Sequence, residues 1–341
     1  MKLVITGALG HIGSGLIHVL TPREVSEVVL IDNLSTQRYC SLFNLPEGID
    51  WRFVEADVTT AQLEGLFAGA AAVIHLAAIT NAAESFEIAE EVERVNYFGT
   101  QRVALAAAKV GVPLIFPSST SVYGVSEGIV DEAGGAEQLQ PQSPYAKSKL
   151  DAEQFLSRLG ETSGLKFFIA RFGTIYGASI GMRFHTAVNK FIWQACVGEP
   201  LTVWRTALDQ KRPYLDLLDA VRTLKFVVEQ RLFDNQIYNV LTDNFTVRDI
   251  VEAIRVHVPD LEVKLVDSRI MNQLSYEVDR AKFESRGFRF EGDFRRGIGD
   301  SVKQLKALIP EPFSHKEAQE AQNRKGVSGA LLCASCAFLW L

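Results

Sequence analysis

Cysteine is scarce in this chain: Cys40, Cys196, Cys333 and Cys336 are the four in 341 residues. So few, mostly far apart, exclude a disulfide-stapled scaffold. Cys333 and Cys336 form a Cys-x-x-Cys pair, but with no second pair the four ligands of a structural zinc site are lacking. A basic excess is missing too. Lys and Arg number 35 against 41 Asp and Glu, for a net charge of -6 and a pI near 5.6. A general phosphate-neutralising surface of the kind that binds nucleic acid is therefore not expected, and an anionic ligand must meet locally placed cations. No apolar run reaches the ~20 residues that cross a bilayer. The longest closes the chain, within the polar-to-apolar tail Ser314 to Leu341, and reads as an appended or disordered tail or a packing surface between subunits, with a membrane contact as the minority option. Neither an internal repeat nor a low-complexity linker is visible. The N-terminus runs straight into an apolar strand without a signal peptide, which with the sparse cysteines favours a reducing cytoplasm.

What is present is an alternation. "KLVIT" (Lys2 to Thr6), "VVLID" (Val28 to Asp32), "WRFVEAD" (Trp51 to Asp57), "AAVIHLA" (Ala71 to Ala77) and "VPLIFPSS" (Val112 to Ser119) read as strands, with helical patterns between most of them. Parallel strands need crossover helices, so this rhythm predicts a doubly wound α/β domain with a parallel sheet covered on both faces. After "FFIARFGTIYG" (Phe167 to Gly177) the elements shorten. The spacing predicts a dinucleotide-binding domain over 1–176, to which the chain returns at about 213–241, a smaller α/β substrate lobe over 177–313, and a tail outside the fold over 314–341.

In such a sheet ligands sit beyond the carboxyl ends of the strands, so the first strand-to-helix turn is the place to look. That turn is "TGALGHIGSG". Gly7, Gly10 and Gly13 allow a tight turn, close approach of backbone to a pyrophosphate, and packing of the apolar helix from Ile12 to Leu20 on the sheet. Asp32, ending the second strand, can accept hydrogen bonds from ribose hydroxyls and repels a 2'-phosphate, which favours NAD; nearby Arg38 keeps NADP as the minority option. Asp57 ends the third strand and serves either the adenine edge or a helix cap.

"SPYAKSKL" (Ser143 to Leu150) places Tyr145 and Lys149 four residues apart, about one helical turn, after a proline able to open a helix. Lowering a phenol from ~10 to ~7 takes roughly 4 kcal/mol. An ammonium about 4 Å away in an effective dielectric of ~20 supplies on the order of that amount. Lys149 is therefore of the right strength to make Tyr145 a usable base.

Six motifs in order, "TGALGHIG", "HLAA" (His75 to Ala78), "NYFGT" (Asn96 to Thr100), "SSTSVYG" (Ser118 to Gly124), "YAKSK" and "RFGTIYG" (Arg171 to Gly177), resemble the extended short-chain dehydrogenase/reductases, and within them the nucleotide-sugar epimerases and dehydratases. The resemblance runs from Met1 to about Leu308. It implies Ser119, Tyr145 and Lys149 as the catalytic trio, with Tyr145 exchanging a sugar hydroxyl proton. For NAD it implies Gly7, Gly10, His11, Ile12, Gly13, Asp32, Asn33, Asp57, Val58, Leu76, Ala77, Ala78 and Asn96, with Tyr145 and Lys149. For a nucleotide-diphosphate sugar it implies Thr80, Ser121, Thr174, Asn189, Arg212 and Arg269. Structural readings stand beside several of these: capping for Thr80, turn formation for Thr120 and Ser121, core or cap roles for Asn189 and Phe191, and surface ion pairs for the arginines.

In the dehydratases of this group an Asp-Glu pair occupies the positions of Thr120 and Ser121, and the decarboxylases carry a Glu at the second. Hydroxyls at both positions disfavour water elimination, which needs an acid for the leaving hydroxyl. The expectation is an NAD-dependent 4-epimerase of a UDP-hexose acting through a keto sugar. Alternatives are a ketoreductase or dehydrogenase of the same substrate class, a dehydratase, and a non-catalytic dinucleotide sensor. Thr174 in place of a usual asparagine, Pro213 after the arginine and Leu218 in place of an aspartate mark the sugar side as unusual. A homodimer through the Tyr145 helix and the Ala89 to Val110 stretch is implied by the same resemblance.

Overall fold

Leu3, Val4 and Ile5 of the first strand are all buried, as are Val28 to Ile31 of the second, which is the pattern of strands covered on both faces. A computed structural model describes residues 1–124, 128–267 and 276–306, of which Met1–Gln304 forms one compact unit. Its strands in chain order are β1 (Lys2–Thr6), β2 (Glu27–Asp32), β3 (Asp50–Glu55), β4 (Ala72–His75), β5 (Leu114–Ser119), β6 (Ile129–Val130), β7 (Phe167–Phe172), β8 (Thr174–Tyr176), β9 (Leu201–Trp204), β10 (Lys211–Asp216), β11 (Gln236–Val240), β12 (Asp243–Thr246), β13 (Val263–Val266) and β14 (Glu277–Val278). Seven of them make one parallel sheet in the order β11-β7-β5-β4-β1-β2-β3.

Alternation of side chains divides the core in two. Leu3, Ile5, Val28, Leu30 and Ile74 face the helices His11–Ile17 and Leu217–Glu229, meeting Leu16, Ala220 and Leu224. Val4, Val29, Ile31 and Val73 face the helices Gly99–Val110 and Pro144–Ser163, meeting Val103, Ala107, Ala152 and Leu156. The doubly wound fold expected from the alternation is what forms. Smaller sheets complete the unit: β12-β10-β8, β13-β9 and β14-β6.

Local chemistry fixes the element that carries the Tyr-Lys pair. Ser143 caps the Pro144–Ser163 helix by accepting from the Ala146 N–H at 3.1 Å, Pro144 fills the first turn, and Gly164 at φ +73° closes it. The stretch expected as one long helix is interrupted. Ala89–Val92 and Gly99–Val110 are α-helical, but Glu93–Phe98 between them is a π-helical turn. That extra residue turns Asn96 inward. Its amide oxygen accepts from the Ile79 N–H and its NH2 donates to the Ile79 carbonyl and to Ser148 Oγ, tying the loop after β4 to the Tyr145 helix. Among the described residues no helix is long and apolar enough to cross a membrane. The tail Ser314 to Leu341 and Arg269 lie outside the described residues.

Candidate active site

At the carboxyl end of β1 the chain turns at Gly7, whose φ is +65° and where a Cβ would stand 2.5 Å from the Ala77 nitrogen. A Cβ at Gly13 would lie 2.3 Å from the Ala8 carbonyl oxygen. Only glycine permits this turn, because at both positions protein backbone packs where a side chain would start. Gly10, His11 and Ile12 follow on it, with Gly10 as the N-cap residue. Asp32 accepts from the Leu9 N–H at 3.1 Å and the Leu34 N–H at 2.9 Å, so its carboxylate braces the turn from the end of β2. Leu76 and Ala77 are held on Thr6 by their N–H groups, with Ala78 next, and Val58 is buried against the Gly99–Val110 side. The Asn33 amide donates to Asp57. Burial would raise the Asp57 carboxyl, but the Thr59 hydroxyl and N–H hold it below the usual range. Turn, carboxylate and the first-turn N–H groups, which lie outside the helix's own hydrogen-bond ladder, fit NAD.

Ser119 closes β5 beside the Tyr145 phenol, and its Oγ accepts from the Ser121 N–H and hydroxyl at 3.2 and 2.9 Å. Burial raises the Tyr145 phenol, Ser119 and the positive charge of Arg183 pull it down, and Tyr276 pushes it up. Lys149 shares the helix face, as its spacing predicts, yet its ammonium donates to the Pro117 carbonyl at 2.9 Å and lies 4.7 Å over the Phe116 ring. Burial lowers it to about 8 against the opposing pull of Glu153. The ammonium is thus anchored on β5, and Arg183 is a cation that acts on Tyr145. Beneath them Glu153 accepts from Arg171 at 2.7 Å and from the Ser118 hydroxyl, a buried network joining the helix to β5 and β7.

The substrate-side residues are gathered only in part. Thr80 accepts from Arg183 Nη1; Asn189, buried, donates to the Arg183 carbonyl at 3.0 Å. Thr174 is half-buried on β8, in register with Tyr214. Arg212 lies on β10 opposite Phe245 and acts electrostatically on Tyr214 and Tyr276. Two residues at the site went unread in the sequence. Tyr276, buried, lies beside Thr120 and is felt by Tyr145. Arg183 sits between β8 and the Ala187–Cys196 helix in a segment without periodicity; its only sequence signal is a cation soon after "RFGTIYG". Arg38 donates to the Gly181 carbonyl at 2.8 Å, which ties it to the segment after β8.

Known proteins resemble this chain. An uncharacterised UDP-glucose epimerase, YtcB, of Bacillus subtilis is 29% identical over 237 residues, 67% of this chain and 72% of that protein. UDP-glucuronic acid decarboxylase 6 of Arabidopsis thaliana is 28% identical over 278 residues, 79% of this chain and 78% of its own length. The crystal structure of Thermus thermophilus UDP-glucose 4-epimerase in complex with NAD matches with a TM-score of 0.77 and 25% identity, covering 91% of this chain and 100% of that one. A glycine turn braced by an acid, a serine on a tyrosine phenol and a lysine one turn on are joined by the match of residues 3–240 to a family model, and the chain belongs to the NAD dependent epimerase/dehydratase family.

Proposed function

We propose that this enzyme is a nucleotide-sugar 4-epimerase, acting on a UDP-hexose through a transient 4-keto sugar. The observation that carries this reading is the hydroxyl lining of the Tyr145 pocket. Ser119 and Ser121 bond each other beside the phenol, Thr120 meets Tyr276, and among the described residues no carboxylate is one of the charges felt by Tyr145. A dehydratase or decarboxylase on this fold uses an acid there. Kinship to a UDP-glucose epimerase and to a UDP-glucose 4-epimerase structure is compatible with this choice, as kinship to a decarboxylase is with the alternative.

Tyr145 takes the proton of the sugar hydroxyl as the carbon becomes a carbonyl, and returns it after the keto sugar has turned in the site. Ser119 donates to the same oxygen and keeps the phenol aligned. Bound NAD supplies the hydride acceptor and then the hydride donor, so no net redox occurs. Arg183 offsets part of the burial that would keep Tyr145 protonated. Arg212 is our candidate for the sugar-nucleotide diphosphate, with the elements after Tyr176 as the substrate side. Phe98 and Leu105, exposed on the π turn and the helix after it, are a surface a second copy would cover as a homodimer.

The test is to incubate purified protein with UDP-, dTDP- and GDP-hexoses, without added cofactor, and to separate the products by chromatography and mass. An isomer of unchanged mass is expected. A product lighter by one water makes the enzyme a dehydratase, and dependence on added reduced cofactor makes it a ketoreductase.

A further inference from the structure

The segment Ser179–Thr186 lies on the glycine turn through four separate contacts. Ser179 Oγ donates to the His11 carbonyl at 3.0 Å and meets His11 Nδ1 at 2.7 Å. The Gly181 N–H donates to Ser14 Oγ at 2.8 Å, and its carbonyl accepts from Arg38. A Cβ at Gly181 would stand 2.5 Å from the Leu9 carbonyl oxygen, so the strap rests directly on the turn's backbone. From it Arg183 reaches across to Thr80 beyond β4, with Asn189 holding its carbonyl from below.

This crossing gathers positive charge with little to balance it. Arg183 acts on Asp32 at one end and on Tyr145 at the other, and Arg38 is within its field, while burial and the two arginines keep His11 and His185 neutral. The Arg38 guanidinium is lowered to about 10, by burial first and then by Arg183. His11 Nε2 is shielded from solvent and has no hydrogen-bond partner among the described residues. Asp32 is the carboxylate that Arg38 and Arg183 share, and its oxygens already accept from Leu9 and Leu34. Two guanidiniums in mutual range, over a glycine turn, between a ribose-binding acid and a catalytic phenol, call for an anion of two charges in that span.

We propose that Ser179–Thr186 is a cofactor strap in which Arg183, supported by Arg38, binds the diphosphate of NAD from the side opposite the glycine turn. The proposal rests on the NAD site at that turn and adds residues from outside it. The strap also explains how an enzyme that must hold its cofactor through both half-reactions does so: the contacts that close over the dinucleotide are made by a segment of the substrate side.

The experiment compares wild type, Arg183→Met, Arg183→Lys and Gly181→Val, each stripped of nucleotide and titrated with NAD and separately with UDP by calorimetry. Arg183→Met is expected to weaken NAD at least about tenfold, the size of one charge-assisted contact. Lysine restores part of the loss. Gly181→Val weakens NAD similarly by lifting the strap, although Arg183 is intact, and UDP affinity is unchanged throughout. Circular dichroism and melting separate loss of binding from loss of fold, and if Arg183→Met does not fold, the lysine and valine variants decide. If wild type itself takes up no NAD, the cofactor site fails and the strap with it. Equal NAD affinity across folded variants overturns the strap alone, and so does a loss confined to UDP, which would make Arg183 a substrate residue.

Discussion

At the scale of residues, the chemistry turns on how charge reaches one phenol. Tyr145→Phe removes the proton acceptor but neither its ring nor the glycine turn, so NAD should remain bound while turnover falls at least ~100-fold. Unchanged turnover, measured with the NAD content of the variant, would take Tyr145 out of the reaction. Lys149 gives a second outcome, in stability. Its folded-state value of about 8 lies below the 10.5 of the free side chain because burial penalises the ammonium. Between those values the unfolded chain holds the proton and the native one does not, so this group makes stability rise with pH above about 8. Below that it costs the fold its full penalty. Lys149→Met should therefore melt higher relative to wild type at pH 7 than at pH 9.5, while losing activity. A melting difference that stays constant over this range would mean that the ammonium is not penalised by burial.

At the scale of elements, the Pro144–Ser163 helix is held to the sheet by charge as well as by Ala152 and Leu156. Glu153 and Arg171 are 2% and 5% exposed at their side chains, deep enough that one left alone has no water to solvate it. Glu153→Ala should cost about 3–5 kcal/mol, read from denaturant unfolding, and Glu153→Leu with Arg171→Met much less, because the pair is removed together. Additive losses in the double variant would show that the two side chains are not coupled. The same helix marks where sequence reading succeeds. Ser143, Pro144 and the Tyr145-Lys149 spacing are local signals, as is Gly13, whose side chain would meet Ala8 in the same turn. What was not legible depends on distant parts of the chain. The π turn at Glu93–Phe98 exists where Asn96 can reach Ile79 and Ser148. Lys149 turns to Pro117, 32 residues away, and Arg183 and Tyr276 come from irregular segments placed by tertiary packing. Spacing put Lys149 on the right face; only the fold decided which oxygen it met.

At the scale of the whole molecule, a chain of net charge -6 gathers cations at one place, between the sheet's carboxyl edge and the segment after β8. Because those contacts join residues far apart, from His11 to Ser179 and from Arg38 to Gly181, a dinucleotide held there should stabilise the unit Met1–Gln304 as one body. At a free NAD concentration about 100 times its dissociation constant the linkage is about 2.7 kcal/mol, which raises the melting temperature by several degrees. Scanning calorimetry of the stripped and refilled protein is expected to show a single transition that moves upward intact. A transition that splits, with only its first part moved by NAD, would mean that the sheet alone feels the cofactor and the segment after β8 melts separately. High salt discriminates further. A cofactor held by guanidiniums loses affinity as salt screens them, so the upward shift should shrink between low salt and 1 M, where the screening length is ~3 Å. A shift indifferent to salt would place the binding energy in the glycine turn and the apolar contacts instead.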